Sequence, residues 1–325
     1  MTGTDGGRDW GARILAAAPE TARQIAHHVE LALDGTTQRD FRTRAEIASD
    51  YPTQLRALDH VVFAMEQHGV LMLERIDAVR EDHHTSSRSA LTLVHSSATM
   101  TLQEIRCLAV AGYWVGAAAR WRGLHELAVT ARLIAEGGPE IAQRYLDHGF
   151  VVQTKRLSRY YEEHGAGPID PAALKERSQR AVLLEQAHAL ANSQARFRDA
   201  YGWAIPLLPT NAAGEHVRPT FDRLEAQAGY DARRLLVTSA HGMVHNDSAG
   251  VLSAVVLDEG YSLGPQPMFT KTVLQPTLES ITWLVAATHV RFEPSLDSRF
   301  ARLLSLQGAG LMHLCSQTLL SFGDD

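Results

Sequence analysis

TLQEIRCLAVAGYWVGAAARWRGLHELAVTARLIAEGGP, residues 101–139, decides how the chain folds. Its apolar residues recur at three and four with little β-branched alternation, the period of an α-helix. Thr101 and Glu104 stand three apart ahead of the apolar run, a capping-box spacing, so a helix is predicted to start there. It should run through Ala111, Trp114 and Arg120 to about Ala135, where Gly137 and Gly138 end it. The middle of this segment, CLAVAGYWVGAAA at 107–119, is apolar on almost every face, as in a central helix packed on all sides. Small Gly112, Gly116 and Ala117 would let neighbours approach closely. The apolar run is much shorter than the roughly 20 residues that a bilayer requires.

The text on either side is also helical. Upstream, one helix is expected from about Asp9 through Leu33, stopping at Gly35. A second should cover Tyr51 to Val79, with Leu55, Leu58, Val62, Met65, Val70, Leu73 and Ile76 as its buried stripe. EDHHTSSRSA at 81–90 is rich in small polar residues that compete with helix hydrogen bonds, and it reads as an exposed linker. Residues 1–84 are accordingly read as an N-terminal helical extension and 85–325 as the helical core domain. Downstream, Pro139 suits the first turn of a helix through His164, and Pro171 opens another that should reach Tyr201. YGWAIPLLPTNAAGEHVRP at 201–219 is irregular, and TFDRLEAQAG at 220–229 holds a short helix. Asp231 is a suitable N-cap for a helix ending near His245. VLSAVVLDEGYSL at 251–263 is the one strand-like stretch, read as a small β-hairpin around Asp258 to Gly260. Two helices, about Thr270–Val290 and Asp297–Leu320, close the chain, and no repeat of fixed period is visible. The fold class is all-α, a multi-helix bundle.

Composition narrows the function. The chain has 325 residues, 45% of them hydrophobic and 21% charged, as expected of an ordinary globular protein. Its formal net charge of -6 provides no global basic field, so any nucleic-acid contact must come from a local patch. Cys107 and Cys315, the two cysteines, lie far apart in apolar text and read as buried free thiols, not as a disulfide or a thiolate zinc site. The first residues lack the basic-then-apolar layout of a signal peptide, and charge interrupts every long apolar segment. A cytoplasmic protein without a membrane segment is expected.

Candidate chemistry concentrates at SAHGMVHNDSA, residues 239–249, just after Arg233 and Arg234. His241 and His245 are four apart and share a face if the segment is helical. A zinc metalloprotease would need Glu directly after the first histidine, where this chain has Gly242. Further metal ligands would have to come from Glu279, His289 or Asp247, which no spacing singles out. Arg120 and His125 are five apart, so about 100° per residue turns them away from a common phosphate. Arg122 and Glu126 are four apart on one face, suited to an ion pair or to the charged floor of a pocket. His148 would face the same cleft as Glu126 if the helices on either side of Gly137 and Gly138 pack antiparallel.

Three stretches carry a resemblance. RWRGLHELAVTARLIAEGGPEIAQRYLDH (120–148), YGWA (201–204) and FDRLEAQAGYDARRLLVTSAHGMVH (221–245) resemble a bacterial family known as domain of unknown function 5677, over about residues 95–320. Arg122 with Glu126, the Arg144-Tyr145-Leu146 run and Val244-His245 match its pattern. Ser239 stands where that pattern has arginine, and His241 where it has serine. The pattern in turn resembles the HEPN superfamily, helical proteins many of which are metal-independent ribonucleases of toxin-antitoxin and phage-defence systems. There a histidine acts as general acid/base and an arginine steadies the phosphoryl charge. The resemblance implies an endoribonuclease that needs no cofactor, with His245 and His241 as catalytic residues and Arg234 on the phosphate. Arg122, Glu126 and Arg233 would bind substrate. It also implies an RNA substrate, a homodimer in which the second protomer can supply an arginine, and an operon-encoded protein partner. Two other readings stand beside it: a non-catalytic interaction or regulatory protein with Arg122, Glu126 and His245 in a polar network, and a helical metalloenzyme using His241, His245 and Glu126.

Overall fold

The computed structural model describes residues 19–24, 27, 37–78, 85–165, 167–230, 234–245, 256–257, 260–261, 270–292 and 299–321. The fold is all-α and multi-helical. Helical residues 37–50 lead into α1 (Pro52–Ala78), α2 (Thr85–Val110) and α3 (Trp114–His164). Then come α4 (Pro171–Ala187), a 3₁₀ turn (Gly202–Leu207), α5 (Phe221–Ala228) and α6 (Arg234–His245). Helices α7 (Thr270–Phe292) and α8 (Arg299–Ser321) follow a two-residue antiparallel ladder of β1 (Val256–Leu257) and β2 (Gly260–Tyr261). The first predicted helix lies largely outside the described residues, as do Asp231, Arg233 and the start of the expected linker.

The remainder of that linker is helix. Thr85–Ala90 forms the start of α2, with Ser87 and Arg88 buried, and Thr101 sits mid-helix giving its hydroxyl to the Ser97 carbonyl. Packing thus overrides the local preference of Ser and Thr for turns. The break lies instead inside the apolar run, at Gly112 (φ 79°). There the Tyr113 N–H bonds the Leu108 carbonyl at 2.8 Å and closes α2. Glycine takes this left-handed conformation without the Cβ clash that other residues suffer.

Helix α1 buries Leu58, Val61, Met65, His68 and Met72, a seam of alternating three and four facing α2 and α8. Val70 and Leu73, expected in that stripe, are exposed at 49% and 52%. The helix carries apolar residues on more than one side, and its neighbours select which side is covered. Cys107 is likewise exposed, on the outer α2 face with Gln103 and Glu104, whereas Cys315 is buried and its thiol is pushed up to about 12. That burial keeps the Cys315 thiol protonated and inert.

Helix α3 bends at Gly138 (φ 71°, ψ −161°), a conformation essentially reserved for glycine, and Pro139 starts its second arm where no N–H is needed. Glu126 and His148, which straight-helix geometry would set roughly 33 Å apart, line one cleft, so the arms fold back on each other. Asp170 caps α4 by accepting the N–H groups of Ala172 and Ala173. Helix α4 stops at Ala187, short of the expected Tyr201, because residues from His188 onward are held against the second arm of α3. Helix α7 is enclosed along most of its length, with Leu274, Leu278, Ile281, Leu284 and Val285 buried. Its buried Thr277 and Ser280 hydroxyls donate to carbonyls four residues back, so they add no unsatisfied polar group. Among the described residues no helix is long and apolar enough to cross a membrane.

His95 of α2 is fully buried beside His68, ring centroids 5.0 Å apart, and its Nε2–H donates to the Met65 carbonyl at 2.9 Å. Burial holds its pKa down from 6.5 to about 4, against the smaller opposing effect of the Met65 bond. The unfolded chain therefore takes up this proton first. Stability from His95 is complete above about pH 6.5, falls as pH drops below that, and is gone below about 4, a loss on the order of 3 kcal/mol. In urea titrations between pH 7 and 4, His95→Gln should flatten the dependence of unfolding free energy on pH. An unchanged slope would contradict this account.

Candidate functional site

The first arm of α3 exposes two adjacent faces to two different environments. One face carries Trp121 and His125 into the interior. The side chains of His125 and of Glu225 on α5 are both 0% exposed and joined Nε2 to Oε1 at 2.7 Å. Trp121, Phe221 and Trp283 surround the imidazole with ring centroids 5.7, 5.9 and 5.8 Å away, and the Trp121 indole N–H donates to Ser280 of α7. Burial lowers the His125 pKa, and the bond to Glu225 offsets this only in part. Its Nδ1 has no hydrogen-bond partner, so an imidazolium would leave a buried N–H unsatisfied. We conclude that a neutral His125 donates through Nε2 to Glu225.

The neighbouring face carries Arg122 and Glu126, which form the ion pair anticipated from their spacing, at 3.3 Å. Tyr201 donates its hydroxyl to the other Glu126 oxygen at 2.6 Å, and Arg122 lies over the Phe221 ring at 5.6 Å. Burial first, and the bond to Glu126 second, push the Tyr201 pKa far up, so this phenol remains a donor. Tyr201 adopts a left-handed conformation (φ 59°), which costs a residue with a Cβ roughly 1–2 kcal/mol. Gly202 follows because a Cβ there would meet the Phe197 carbonyl oxygen at 2.0 Å. Glu126, Tyr145, His148, Arg156 and Tyr201 line a cleft of about 580 Å³. His148 donates Nε2–H to the Asp199 carbonyl at 3.0 Å, and burial lowers its pKa.

Arg144 has an architectural task. Buried at 5% exposure, it donates to the carbonyls of Trp203, His188 and Gly202, and His188 pairs with Asp147 at 2.8 Å. These bonds clamp the irregular segment after α4 onto α3, which brings Tyr201 to Glu126. Arg120 is exposed and paired with Glu104, while His125 is buried with Glu225, so Arg120 and His125 do not converge.

His241 and His245 lie elsewhere, on α6. Leu236, Ser239, Ala240 and Met243 of that helix face Trp114, Ala118 and Trp121 across a small apolar gap. The two histidines occupy the opposite, exposed face, ring centroids 4.2 Å apart. Arg234 opens the same helix, two turns before His241, and Arg233 is outside the described residues. Among the described residues no three His, Cys, Asp or Glu side chains gather as a metal ion requires.

The family model of DUF5677, a family of unknown function, matches residues 88–261. The chain belongs to the DUF5677 family. No curated protein and no solved structure matches it. The DUF5677 span includes the cleft, the His125–Glu225 pair and the α6 histidines, but α7 and α8 lie beyond its end. Trp283 and Ser280, which help enclose His125, thus come from outside the family span.

Sequence reading overlooked Glu225 and Tyr201 as site residues. Glu225 had a local signal: Phe221, Leu224 and Ala228 form the apolar face of α5, and a glutamate on that face calls for a buried partner. Nothing local pointed to Tyr201, whose bond to Glu126 spans 75 residues. His125→Ala should cost about 2–3 kcal/mol, because the buried Glu225 side chain would lose the hydrogen bond from Nε2–H. Replacing both His125 and Glu225 by Leu should recover more than half of that loss in urea unfolding. A double variant as unstable as the sum of the two single losses would contradict the pairing.

Proposed function

We propose that this DUF5677 chain is a metal-independent endoribonuclease of HEPN-like type, serving as a toxin or in phage defence, with His241 and His245 as its acid–base pair. The observation that carries the reading is their geometry: two imidazoles 4.2 Å apart, both exposed, on one face of α6. Transphosphorylation of RNA needs a base and an acid at one phosphate, both open to a bulky polymer. One histidine takes the proton of the 2′-hydroxyl as its oxygen attacks phosphorus. The other gives a proton to the departing 5′-oxygen. The P–O5′ bond breaks, leaving a 2′,3′-cyclic phosphate and a 5′-hydroxyl, so atoms and charge balance without a metal.

Position 234 falls on the same helix face as 238, 241 and 245 by register, and about 10 Å of helix separates it from His241. Arg234 therefore suits a phosphate neighbouring the scissile one, with Arg233 beside it in sequence. Arg122 and Glu126, which the family resemblance would put on substrate, neutralise each other, which leaves the α6 stripe as the phosphate-binding element. A non-catalytic interaction protein is the second reading, favoured by the net charge of -6, which weakens attraction to RNA.

The test is cleavage of a mixed RNA pool in excess EDTA, with end-group analysis of the products. Wild type should leave 2′,3′-cyclic phosphates. His245→Ala and His241→Ala should each lower the rate at least about 100-fold, the usual contribution of an acid or base. Both are exposed, so folding should be unaffected. A folded wild type that leaves every RNA intact would overturn the reading in favour of the interaction protein.

A further inference from the structure

The cleft between the two arms of α3 is a second, chemically distinct feature, and nothing about it depends on the α6 histidines. At about 580 Å³ it falls within the range of small-molecule sites. Its lining includes the Glu126 carboxylate, held by Arg122 and the Tyr201 hydroxyl. Each carboxylate oxygen has received one hydrogen bond and can accept another. Its walls include Tyr145, Val152 and Tyr201, which offer flat and apolar surface. Arg156 also lines the cleft, is exposed, and makes no hydrogen bond or ion pair with any described residue. The cleft thus brings together an acceptor for hydroxyl or amino groups, an unengaged cation and aromatic side chains.

We infer that this cleft binds a nucleoside monophosphate, with ribose hydroxyls or a base amino group on Glu126, the planar base against the tyrosines and the phosphate on Arg156. A bare phosphate would leave the tyrosine walls and the carboxylate unused. A purely apolar ligand would bury the Glu126–Tyr201 pair without giving it a partner. A nucleoside monophosphate has all three complementary parts in one molecule.

Isothermal titration of the full chain tests this with adenosine and uridine 5′-monophosphates, the two nucleosides, inorganic phosphate and a hexauridylate strand as probes. Saturable binding of a monophosphate is expected, at least ten-fold tighter than its nucleoside or inorganic phosphate. Arg156→Ala should abolish that ten-fold preference and leave nucleoside affinity unchanged, whereas Tyr201→Phe should weaken both. Arg156 is exposed and unengaged, so its variant should keep the wild-type melting temperature. Failure of a folded wild type to bind either monophosphate at millimolar concentration would overturn the inference. So would inorganic phosphate binding as tightly as the nucleotide, or affinity unchanged in Arg156→Ala. A hexauridylate that binds far more tightly than either monophosphate and loses this in Arg156→Ala would assign the cleft to an RNA strand instead. Ribonuclease activity is scored separately through His245, so either proposal can fail while the other stands.

Discussion

A hydrogen bond of 2.7 Å between two side chains with no access to solvent, His125 and Glu225, governs the centre of this protein. Removing ionisable groups from water is costly, and the cost is met only if each has a well-placed partner. That requirement fixes the rotation of α3, because His125 must face α5. One residue further on, the helix has turned by about 100°, so Glu126, paired with Arg122, lines the neighbouring cleft. Cleft and core are therefore set by the same helix register. Trp121, on the His125 side, extends this by bonding Ser280 and tying α3 to α7.

The buried and exposed histidines stand in different surroundings. His95 and His125 are kept uncharged by burial, and each has one ring nitrogen bonded and Nδ1 without a partner. Such groups hold helices together. His241 and His245 are exposed and touch each other, on the side of α6 away from Trp114 and Trp121. Arg144, through its bonds to the loop after α4, brings Tyr201 against Glu126.

What was legible in the sequence was local. Gly138-Pro139 announced the bend of α3, Pro171 the start of α4, and the four-residue spacing of Arg122 and Glu126 their ion pair. The sharing of one cleft by Glu126 and His148 followed from the short connection between the arms. What was misread depended on partners distant in sequence. Thr101 and Glu104 imitate a capping box, yet the polar residues before them are helical because Ser87 and Arg88 are covered by other helices. Helix α1 has apolar residues on several sides, and only the packing of α2 and α8 distinguishes Val61 and Met72 from Val70 and Leu73. Glu225 lies 100 residues from its partner, and a single sequence gives no means of joining the two.

The protonation of His125 tests the central claim most directly. In protein labelled with ¹⁵N at histidine, long-range proton–nitrogen correlation distinguishes an imidazolium from either neutral tautomer. The account predicts a neutral His125 ring at pH 7, protonated on Nε2 and bare on Nδ1, unchanged until acid unfolds the chain. A His125 with both ring nitrogens protonated in the folded state at pH 7 would contradict it.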